Sequence, residues 1–269
     1  MTGIRIISLA PSNTEILFSL GLGPQVVGVT RFCDYPDEAK KITKIGGWVD
    51  PEYGRVESLK PDLIFTSTFL QEKIAKALSA KGFNVVHTDP KNLGGVYESI
   101  ITIGKSCHKL KESKTLVGEI MNGLDGVKQI FDEPVKVYCE EWHRPPTVSG
   151  NWVPDIIRIA GGESMIKAGE ISRETTLQEV AKFGPEIIVV SLCGFGEKSD
   201  KRFILQRPGW QNLDAVKNNK IIVMDDSLLN RPGPRLVNAA EKLAAILDQT
   251  RSRGINDATN GYLAQNLQK

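Results

Sequence analysis

Short apolar runs alternate with amphipathic segments along most of the chain, and this alternation predicts parallel strands separated by helices. Near the start, the apolar run 4-IRIISLA-10 is followed by a helix-like segment that ends at Gly21. A second pair of this kind, 135-VKVYCEEW-142 and 152-WVPDIIRIAGG-162, begins at the middle of the chain. Short, nearly continuous apolar runs are typical of strands buried on both faces, so each pair predicts a strand–helix unit.

An internal repeat extends this pattern to both halves of the chain. Residues 56–67 read VESLKPDLIFTS and residues 180–191 read VAKFGPEIIVVS, with Val, Pro, an acidic residue, Ile and Ser at the same spacing. In each copy a helical segment is ended by proline, and an apolar strand pattern follows. A further helix–strand pair comes after each copy, at 71–89 and at 210–226. The chain is therefore predicted to form two similar α/β lobes with parallel sheets and flanking helices.

The segment between the two halves has apolar residues at close to the 3.6-residue spacing of a helix. This spacing predicts one long helix over 105–133, roughly 40 Å long and ended by Pro134. The predicted organisation is an N-terminal lobe at 1–104, this connecting helix, a C-terminal lobe at 134–248 and a polar tail at 249–269. Because a single helix is stiff, we expect it to allow only a small rocking motion of the lobes.

Composition and charge narrow the classes of partner. The chain has 269 residues, of which 41% are hydrophobic, and its net charge is only +2. A nearly neutral chain with dispersed Lys and Arg is not expected to bind nucleic acid or an anionic membrane as its main partner. Its four cysteines form no CxxC pair and its three histidines are far apart, so no metal site is predicted.

Several stretches resemble the Fe/B12-type substrate-binding proteins, in which a helical backbone joins two α/β lobes. The similarity covers about residues 1–248 and is carried by RIISLAPSNTEILFSLGLGPQVVGVT, FCDYP, SLKPDLIF, GNWVPDIIRIAGG and NRPGPRLV. Within that family the chain is most similar to cobalamin-binding members that lack an export signal. That similarity rests on 141-EWHRPPTVSGNWVPD-155, 169-GEISR-173, 193-CGF-195 and NRPGPRL at 230–236.

In open α/β sheets, ligands bind beyond the carboxyl ends of the strands, so two facing lobes are expected to share one ligand cleft. The residues predicted to bind ligand follow those strand ends and are Tyr35, Trp48, Trp142, Phe195, Asp226, Asn230, Arg231 and Arg235. Trp48 is the strongest of them, because the resemblance implies an aromatic residue against the ligand at this point. The alternative for each aromatic residue is packing within its own lobe, and Trp210 is expected to be structural.

The loop 231-RPGPR-235 is predicted to start a helix and to form a stiff rim of the binding site. We expect Arg231 to project from the loop towards ligand, and Arg235 to be paired with Asp226 or another acid. No metal site is predicted, although His143 is a weak candidate for a cobalt ligand.

The favoured function is a non-enzymatic binding protein for cobalamin (vitamin B12) or a related corrinoid, held in the cleft by aromatic and Arg/Asp contacts. One alternative is an ABC-transporter substrate-binding protein for cobalamin, haem or a ferric siderophore. A second is a corrinoid-modifying enzyme, which is less favoured because the sequence contains no pattern of catalytic residues.

Two departures from exported cobalamin carriers affect the expected partners and location. The resemblance implies one permease-docking glutamate per lobe, but the aligned positions are Gly54 and Gln178. The first residues also lack a secretory signal pattern, so we expect a cytoplasmic monomer. The alternatives are a protein docking on an ABC permease, and a periplasmic or surface-anchored protein whose signal has been removed.

Overall fold

A computed structural model of the protein describes the backbone of residues 3–266 and the side chains of residues 3–251 apart from that of Glu197. The described chain divides into two compact units. One is drawn from Met1–Asn122 and Arg231–Leu236, and the other from Gly123–Asn230 and Val237–Lys269. Each unit is an α/β structure, which confirms the predicted two-lobe fold class. No described helix combines the length and apolar character needed to span a membrane.

The first unit contains a four-stranded parallel sheet. Its strands and helices are β1 (Ile6–Ser8), α1 (Pro11–Ser19), β2 (Val26–Val29), α2 (Tyr53–Ser58), β3 (Leu63–Ser67), α3 (Glu72–Ala80), β4 (Val85–Thr88), α4 (Leu93–Ser106) and α5 (Leu110–Val127), whose last residues belong to the second unit. The strand order is β2-β1-β3-β4, and every neighbouring pair is parallel. The direction of strand order therefore reverses between β1 and β3, where ligands of open α/β sheets bind.

The second unit contains a mixed sheet. Its elements are β5 (Val135–His143), β6 (Pro146–Val148), α6 (Val153–Ile159), β7 (Gly162–Ser164), β8 (Arg173–Glu174), α7 (Leu177–Phe183), β9 (Ile187–Val190), α8 (Arg202–Leu205), α9 (Asp214–Lys217), β10 (Ile221–Val223), α10 (Asp226–Leu229) and α11 (Leu236–Asn266). The strand order is β10-β9-β5-β6-β8, with β7 beside β5. The β5–β6 and β6–β8 pairs are antiparallel, whereas β5, β7, β9 and β10 pair in parallel.

The internal repeat corresponds to the same structure in both units. Its first copy spans α2 and β3, and its second spans α7 and β9. The central strands are buried on both faces, as their continuous apolar sequences indicate. Trp210 is also buried and packs in the core of the second unit, as predicted.

The structure corrects the bounds of the predicted connecting helix. The helical period crosses residues 105–110, but α4 ends at Ser106 and α5 begins at Leu110. The chain turns at His108, whose φ is 56°, and the amide of Lys109 donates to the carbonyl of Gly104. A Cβ at Gly104 would collide with Ser113, so glycine allows the two helices to approach closely here.

The other end of the predicted helix and the polar tail also differ from expectation. Helix α5 ends at Val127 rather than at residue 133. Helix α11 continues to Asn266, where the sequence predicted a separate polar tail from residue 249. Residues 267–269 of that tail lie outside the described residues.

Candidate functional site

The carboxyl edge of the first unit's sheet carries exposed aromatic side chains. Phe32 and Tyr35 follow β2, and Phe69 follows β3, and each is more than 40% exposed. The core beneath them is formed by buried residues that include Ile7 and Ile64. Since the carboxyl ends of parallel strands lie at one edge, these rings give one edge of the sheet an apolar, accessible surface.

A buried carboxylate connects this edge to the RPGPR loop. Glu15 lies in α1, and its side chain is only 2% exposed. Arg235 donates from Nε to Oε2 of Glu15 at 2.8 Å and from Nη2 to Oε1 at 2.6 Å. Arg231 donates from Nη1 to the same Oε1 at 3.0 Å and to Oδ1 of Asp34 at 2.7 Å. The Arg235 guanidinium also lies 4.2 Å from the centre of the Tyr35 ring.

These contacts fix the charge state of the network. Burial disfavours ionisation of Asp34, but the hydrogen bond and charge of Arg231 hold its pKa below the ordinary value. Burial likewise disfavours the charge of Arg231, but Asp34 and Glu15 raise its pKa above the ordinary value. Asp34 and Arg231 are therefore both charged at neutral pH.

Arg231 is held within the first unit by ion pairs, and the expectation that it contacts ligand stays a prediction. Its side chain is 15% exposed and forms two ion pairs within the first unit. Arg235 is paired with an acid, as predicted, and that acid is Glu15. Sequence reasoning missed Glu15 and Asp34, although both lie in the strand-end segments 8-SLAPSNTE-15 and 32-FCDYP-36.

Trp48 lies beside the strand end of β3 and is held by Gln71. The Gln71 side chain is completely buried and donates from Nε2 to the carbonyls of Trp48 at 2.7 Å and Leu9 at 2.8 Å. Its Oε1 accepts from the amide of Ser67 at 2.7 Å. The indole Nε1 of Trp48 is itself buried and has no hydrogen-bond partner among the described residues.

Thr68 follows β3 directly and has an unusual backbone conformation. Its φ is 64° and its ψ is 157°, a region populated almost entirely by glycine. For a β-branched residue this conformation costs about 1–3 kcal/mol. The hydroxyl of Thr68 is buried, and within the described structure it makes no hydrogen bond. The amide donates to the carbonyl of Thr88 at 2.7 Å, and the carbonyl accepts from the amide of Gln71 at 3.0 Å.

The second unit carries an aromatic cluster at the end of β5. Trp142 is 42% exposed, and its ring centre lies 6.3 Å from that of the partly buried Phe195. His143 stacks on Phe203 with ring centres 4.4 Å apart, and it also contacts Phe195 edge-on. The structure therefore brings together two predicted ligand-binding residues and adds Phe203, which the sequence did not indicate.

Asp226 and Asn230 organise the loop that follows β9. The carboxylate of Asp226 accepts hydrogen bonds from the amides of Gly194 at 2.8 Å and Gly196 at 2.7 Å. Asn230 donates from Nδ2 to the carbonyl of Ser191 at 2.7 Å. Both side chains thus hold the segment that presents Phe195. Whether they also contact ligand stays a prediction.

Glu141 is a carboxyl group at this edge whose protonation is altered by its surroundings. Burial raises the pKa of its carboxyl to about 7, although the hydrogen bond from the Ser172 hydroxyl at 2.8 Å opposes the shift. The neighbouring thiol of Cys193 has a pKa raised to about 12, chiefly by burial and then by the charge of Glu141. This thiol is therefore not an activated nucleophile.

The described residues contain no group of three or more His, Cys, Asp or Glu side chains that could hold a metal ion. His143 stays a single candidate. Its Nδ1 is buried without a partner in the described part of the chain, and burial lowers the pKa of its imidazole.

The acidic residues near Gly54 and Gln178, the positions aligned with the permease-docking glutamates, form ion pairs with nearby cations. Glu52 pairs with Arg55 at 2.7 Å, Glu57 with Lys81 at 2.9 Å, and Glu179 with Arg173 at 3.0 Å. Each carboxylate is therefore paired with a cation of its own unit.

The family model described as "Periplasmic binding protein" matches residues 6–228, most of the chain. The chain belongs to the periplasmic binding protein family. It is 31% identical over 252 residues to the uncharacterized ABC transporter substrate-binding lipoprotein YvrC of Bacillus subtilis, covering 89% of this chain and 78% of the relative.

Two further relatives support the family and the fold. The vitamin B12-binding protein of Vibrio campbellii is 26% identical over 260 residues, covering 93% of this chain and 91% of that protein. The periplasmic heme-binding protein RhuT of Roseiflexus sp. RS-1 has a similar fold, with a TM-score of 0.80 and 23% identity. That similarity covers 92% of this chain and 99% of RhuT.

Membership of this family decides between a binding protein and an enzyme, and it bears on the location of the protein. The chain is a substrate-binding protein of the ABC-transporter type and not an enzyme. The expectation of a cytoplasmic protein is wrong, because the relatives are periplasmic or lipoprotein substrate-binding proteins that act outside the cytoplasm. The first residues of the sequence did not justify that expectation.

Proposed function

We propose that the protein binds cobalamin or a related corrinoid and delivers it to an ABC permease. The observation that carries this proposal is the distribution of exposed aromatic side chains. Among the side chains that the structure describes, Phe32, Tyr35, Phe69, Phe131 and Trp142 are the exposed aromatic residues. Phe32, Tyr35 and Phe69 lie beyond the carboxyl ends of strands in the parallel sheet of the first unit, and Trp142 lies at the end of β5 in the mixed sheet of the second.

A large ligand with a broad apolar face suits this distribution. One aromatic face that covers about 100 Å² of ligand contributes about 2.5 kcal/mol. Three such faces contribute about 7 kcal/mol before the costs of binding, whereas nanomolar affinity needs a net free energy of about 12 kcal/mol. Polar contacts must supply the remainder, so a ligand with both an apolar ring face and a polar rim is favoured.

A corrinoid has both features, since amide side chains surround its ring. Glu141 and Asn230 lie at the same edge of the second unit as Trp142 and offer a carboxyl and an amide to such a rim. The vitamin B12-binding relative from Vibrio campbellii supports this choice of ligand, and the substrate-binding lipoprotein from Bacillus subtilis supports a permease partner.

Titration calorimetry with cyanocobalamin tests the ligand assignment. The expected result is one site per chain, with affinity lowered about 10- to 100-fold by Tyr35→Ala or Trp142→Ala. Phe131→Ala is the matched control, because Phe131 is an exposed aromatic residue away from the strand ends. Hemin and a ferric siderophore are titrated in parallel. Saturable binding of either one without any response to cyanocobalamin would overturn the corrinoid assignment.

The permease part of the proposal has its own readout. The loaded protein should stimulate the ATPase activity of a cobalamin permease complex in proteoliposomes, and the loaded Trp142→Ala variant should do so only at higher cobalamin concentration. Absence of stimulation by a protein that binds cobalamin would separate ligand capture from transport.

A further inference from the structure

Thr68 combines two features that each destabilise the fold. It is a β-branched residue in a backbone region populated almost entirely by glycine, and its hydroxyl is buried without a partner among the described residues. Glycine would remove both features. A residue that destabilises the fold in two ways, and whose hydroxyl makes no hydrogen bond within the described structure, points to a role in binding.

The surroundings hold Thr68 firmly in this conformation. Its backbone amide donates to the carbonyl of Thr88, and its backbone carbonyl accepts from the backbone amide of Gln71. The next amide, that of Phe69, donates to Oδ1 of Asp89 at 3.1 Å. Three consecutive constraints on one turn leave little freedom to relax, so the strained conformation is enforced by the fold.

Trp48 shares the environment of Thr68 through Gln71. The side-chain amide of Gln71 donates a hydrogen bond to the backbone carbonyl of Trp48. The backbone amide of Gln71 donates to the backbone carbonyl of Thr68. The indole N–H of Trp48 is also buried and unpaired within the described structure. One buried glutamine thus joins two residues that each carry an unsatisfied polar atom. They lie beyond the carboxyl end of β3, beside the point where the strand order of the first unit reverses.

We infer that Thr68 and Trp48 form a polar subsite of the first unit that binds an oxygen acceptor on the ligand. The indole N–H is a donor and the hydroxyl can donate or accept, so a carbonyl or carboxylate oxygen is the complementary group. Because both atoms are buried, binding requires the two side chains to rotate and uncover them, and such rotamer changes commonly accompany binding. The inference rests on the proposed function and assigns to the ligand a specific contact that apolar stacking does not supply.

Three variants test whether the groups that destabilise the protein without ligand also contribute to ligand binding. Thr68→Val keeps the shape and removes the hydroxyl, Thr68→Gly removes the hydroxyl and the strain, and Trp48→Phe removes the indole N–H. Thr68→Val and Thr68→Gly should raise the melting temperature of the protein without ligand by about 2–4 °C, whereas Trp48→Phe also loses ring volume and is assessed by affinity alone. Each of the three variants should weaken the binding of cyanocobalamin about 10-fold or more.

Two controls carry the same chemical changes where the polar atom is paired. The hydroxyl of Thr88 donates to the carbonyl of Thr66, and the indole of Trp152 donates to the carbonyl of Leu229 at 2.9 Å. Thr88→Val and Trp152→Phe should therefore lower the melting temperature and leave the affinity within about twofold of the original.

The outcomes distinguish this inference from the proposed function. Hemin is titrated beside cyanocobalamin, because propionate carboxylates and corrinoid amides both offer the oxygen acceptor. If the variants lose affinity for hemin alone, the subsite binds a carboxylate oxygen. If they lose affinity for cyanocobalamin alone, it binds an amide oxygen. A lowered melting temperature for Thr68→Val, or unchanged affinity of all three variants for a probe that the original protein binds, overturns the subsite alone. An original protein that binds neither probe overturns both the subsite and the proposed function.

Discussion

Arg235 and Glu15 form a two-point ion pair inside the first unit, with Nε–Oε2 and Nη2–Oε1 distances of 2.8 and 2.6 Å. The two residues are separated by 220 positions in the sequence. The Glu15 carboxylate is almost completely buried, and the two arginines that reach it compensate its charge. The pair therefore attaches the RPGPR loop to the first turns of α1.

Arg235→Ala should destabilise the protein strongly. Removing one partner of a buried pair leaves an uncompensated charge, and the expected loss is about 3–5 kcal/mol, reduced to the extent that Arg231 still compensates Glu15. Urea unfolding measures the change. Arg31→Ala is the matched control, since its pair with Asp50 is exposed and should cost less than about 1 kcal/mol. Equal effects of the two variants would contradict the buried role of the Arg235–Glu15 pair.

Arg231→Ala should also lower stability, because the arginine is paired with Glu15 and Asp34. The loss should depend on pH through Asp34. The pKa of Asp34 is lowered in the folded protein, so its pair with Arg231 stabilises the fold above the ordinary pKa of an aspartate, about 3.9. That contribution disappears as the pH falls through the lowered folded-state pKa.

Unfolding of the Arg231→Ala variant and the original protein at pH 7 and near pH 3 provides the measurement. The difference in stability between the two proteins should be larger at pH 7. A difference that is the same at both pH values would mean that the Asp34–Arg231 pair does not contribute.

Glu141 should make stability fall as the pH rises from about 4.3 to about 7. Burial raises its folded-state pKa to about 7, whereas an unfolded glutamate titrates near 4.3. The folded state therefore holds a proton that the unfolded chain loses in this range. The resulting decrease in the free energy of unfolding, roughly 3 kcal/mol, is complete above pH 7.

Glu141→Gln should remove most of this decrease, and urea unfolding at pH 5 and pH 8 measures it. Glu119→Gln, which changes an exposed glutamate on α5, should leave the pH dependence of the original protein intact. If both variants show the same dependence as the original protein, Glu141 is not the group responsible.

Local patterns predicted those parts of the fold that local chemistry determines. The repeated helix–Pro–strand segment was recognisable because Pro61 and Pro185 end helical patterns and apolar strands follow. The break between α4 and α5 could not be recognised in the sequence, because the helical spacing of apolar residues continues across it. The turn depends on the close approach of Gly104 to Ser113, a tertiary contact.

The sequence likewise predicted some features of the candidate site and gave no indication of others. Strand-end positions predicted that Tyr35, Trp142 and Phe195 lie at the edges of the sheets, since parallel strands bring such positions to one edge; their contact with ligand stays a prediction. The ionic partners of Arg231 lie about 200 residues away in the chain, so spacing gives no indication of them. The strain at Thr68 depends on its φ, and no residue type in 66-TSTF-69 predicts a positive value.

Arg207 and Glu140 form the buried ion pair of the second unit and provide the final prediction. Glu140 is completely buried, and it accepts from Arg207 at 2.7 and 2.8 Å and from the Tyr138 hydroxyl at 2.8 Å. The guanidinium also lies 4.2 Å from the centre of the Trp210 ring. Burial, followed by the negative charge of Glu140, raises the pKa of Tyr138, so its hydroxyl remains a donor at all ordinary pH values.

Arg207→Met should cost about 3–5 kcal/mol, because it leaves the buried Glu140 carboxylate with only the tyrosine as partner. The double variant Glu140→Gln, Arg207→Met should recover most of that loss, since no buried charge remains. Chemical denaturation of both single variants and the double variant gives the coupling energy directly. Additive losses would mean that Arg207 stabilises the unit through its contacts with Trp210 and the His143 carbonyl, and not through the charge of Glu140.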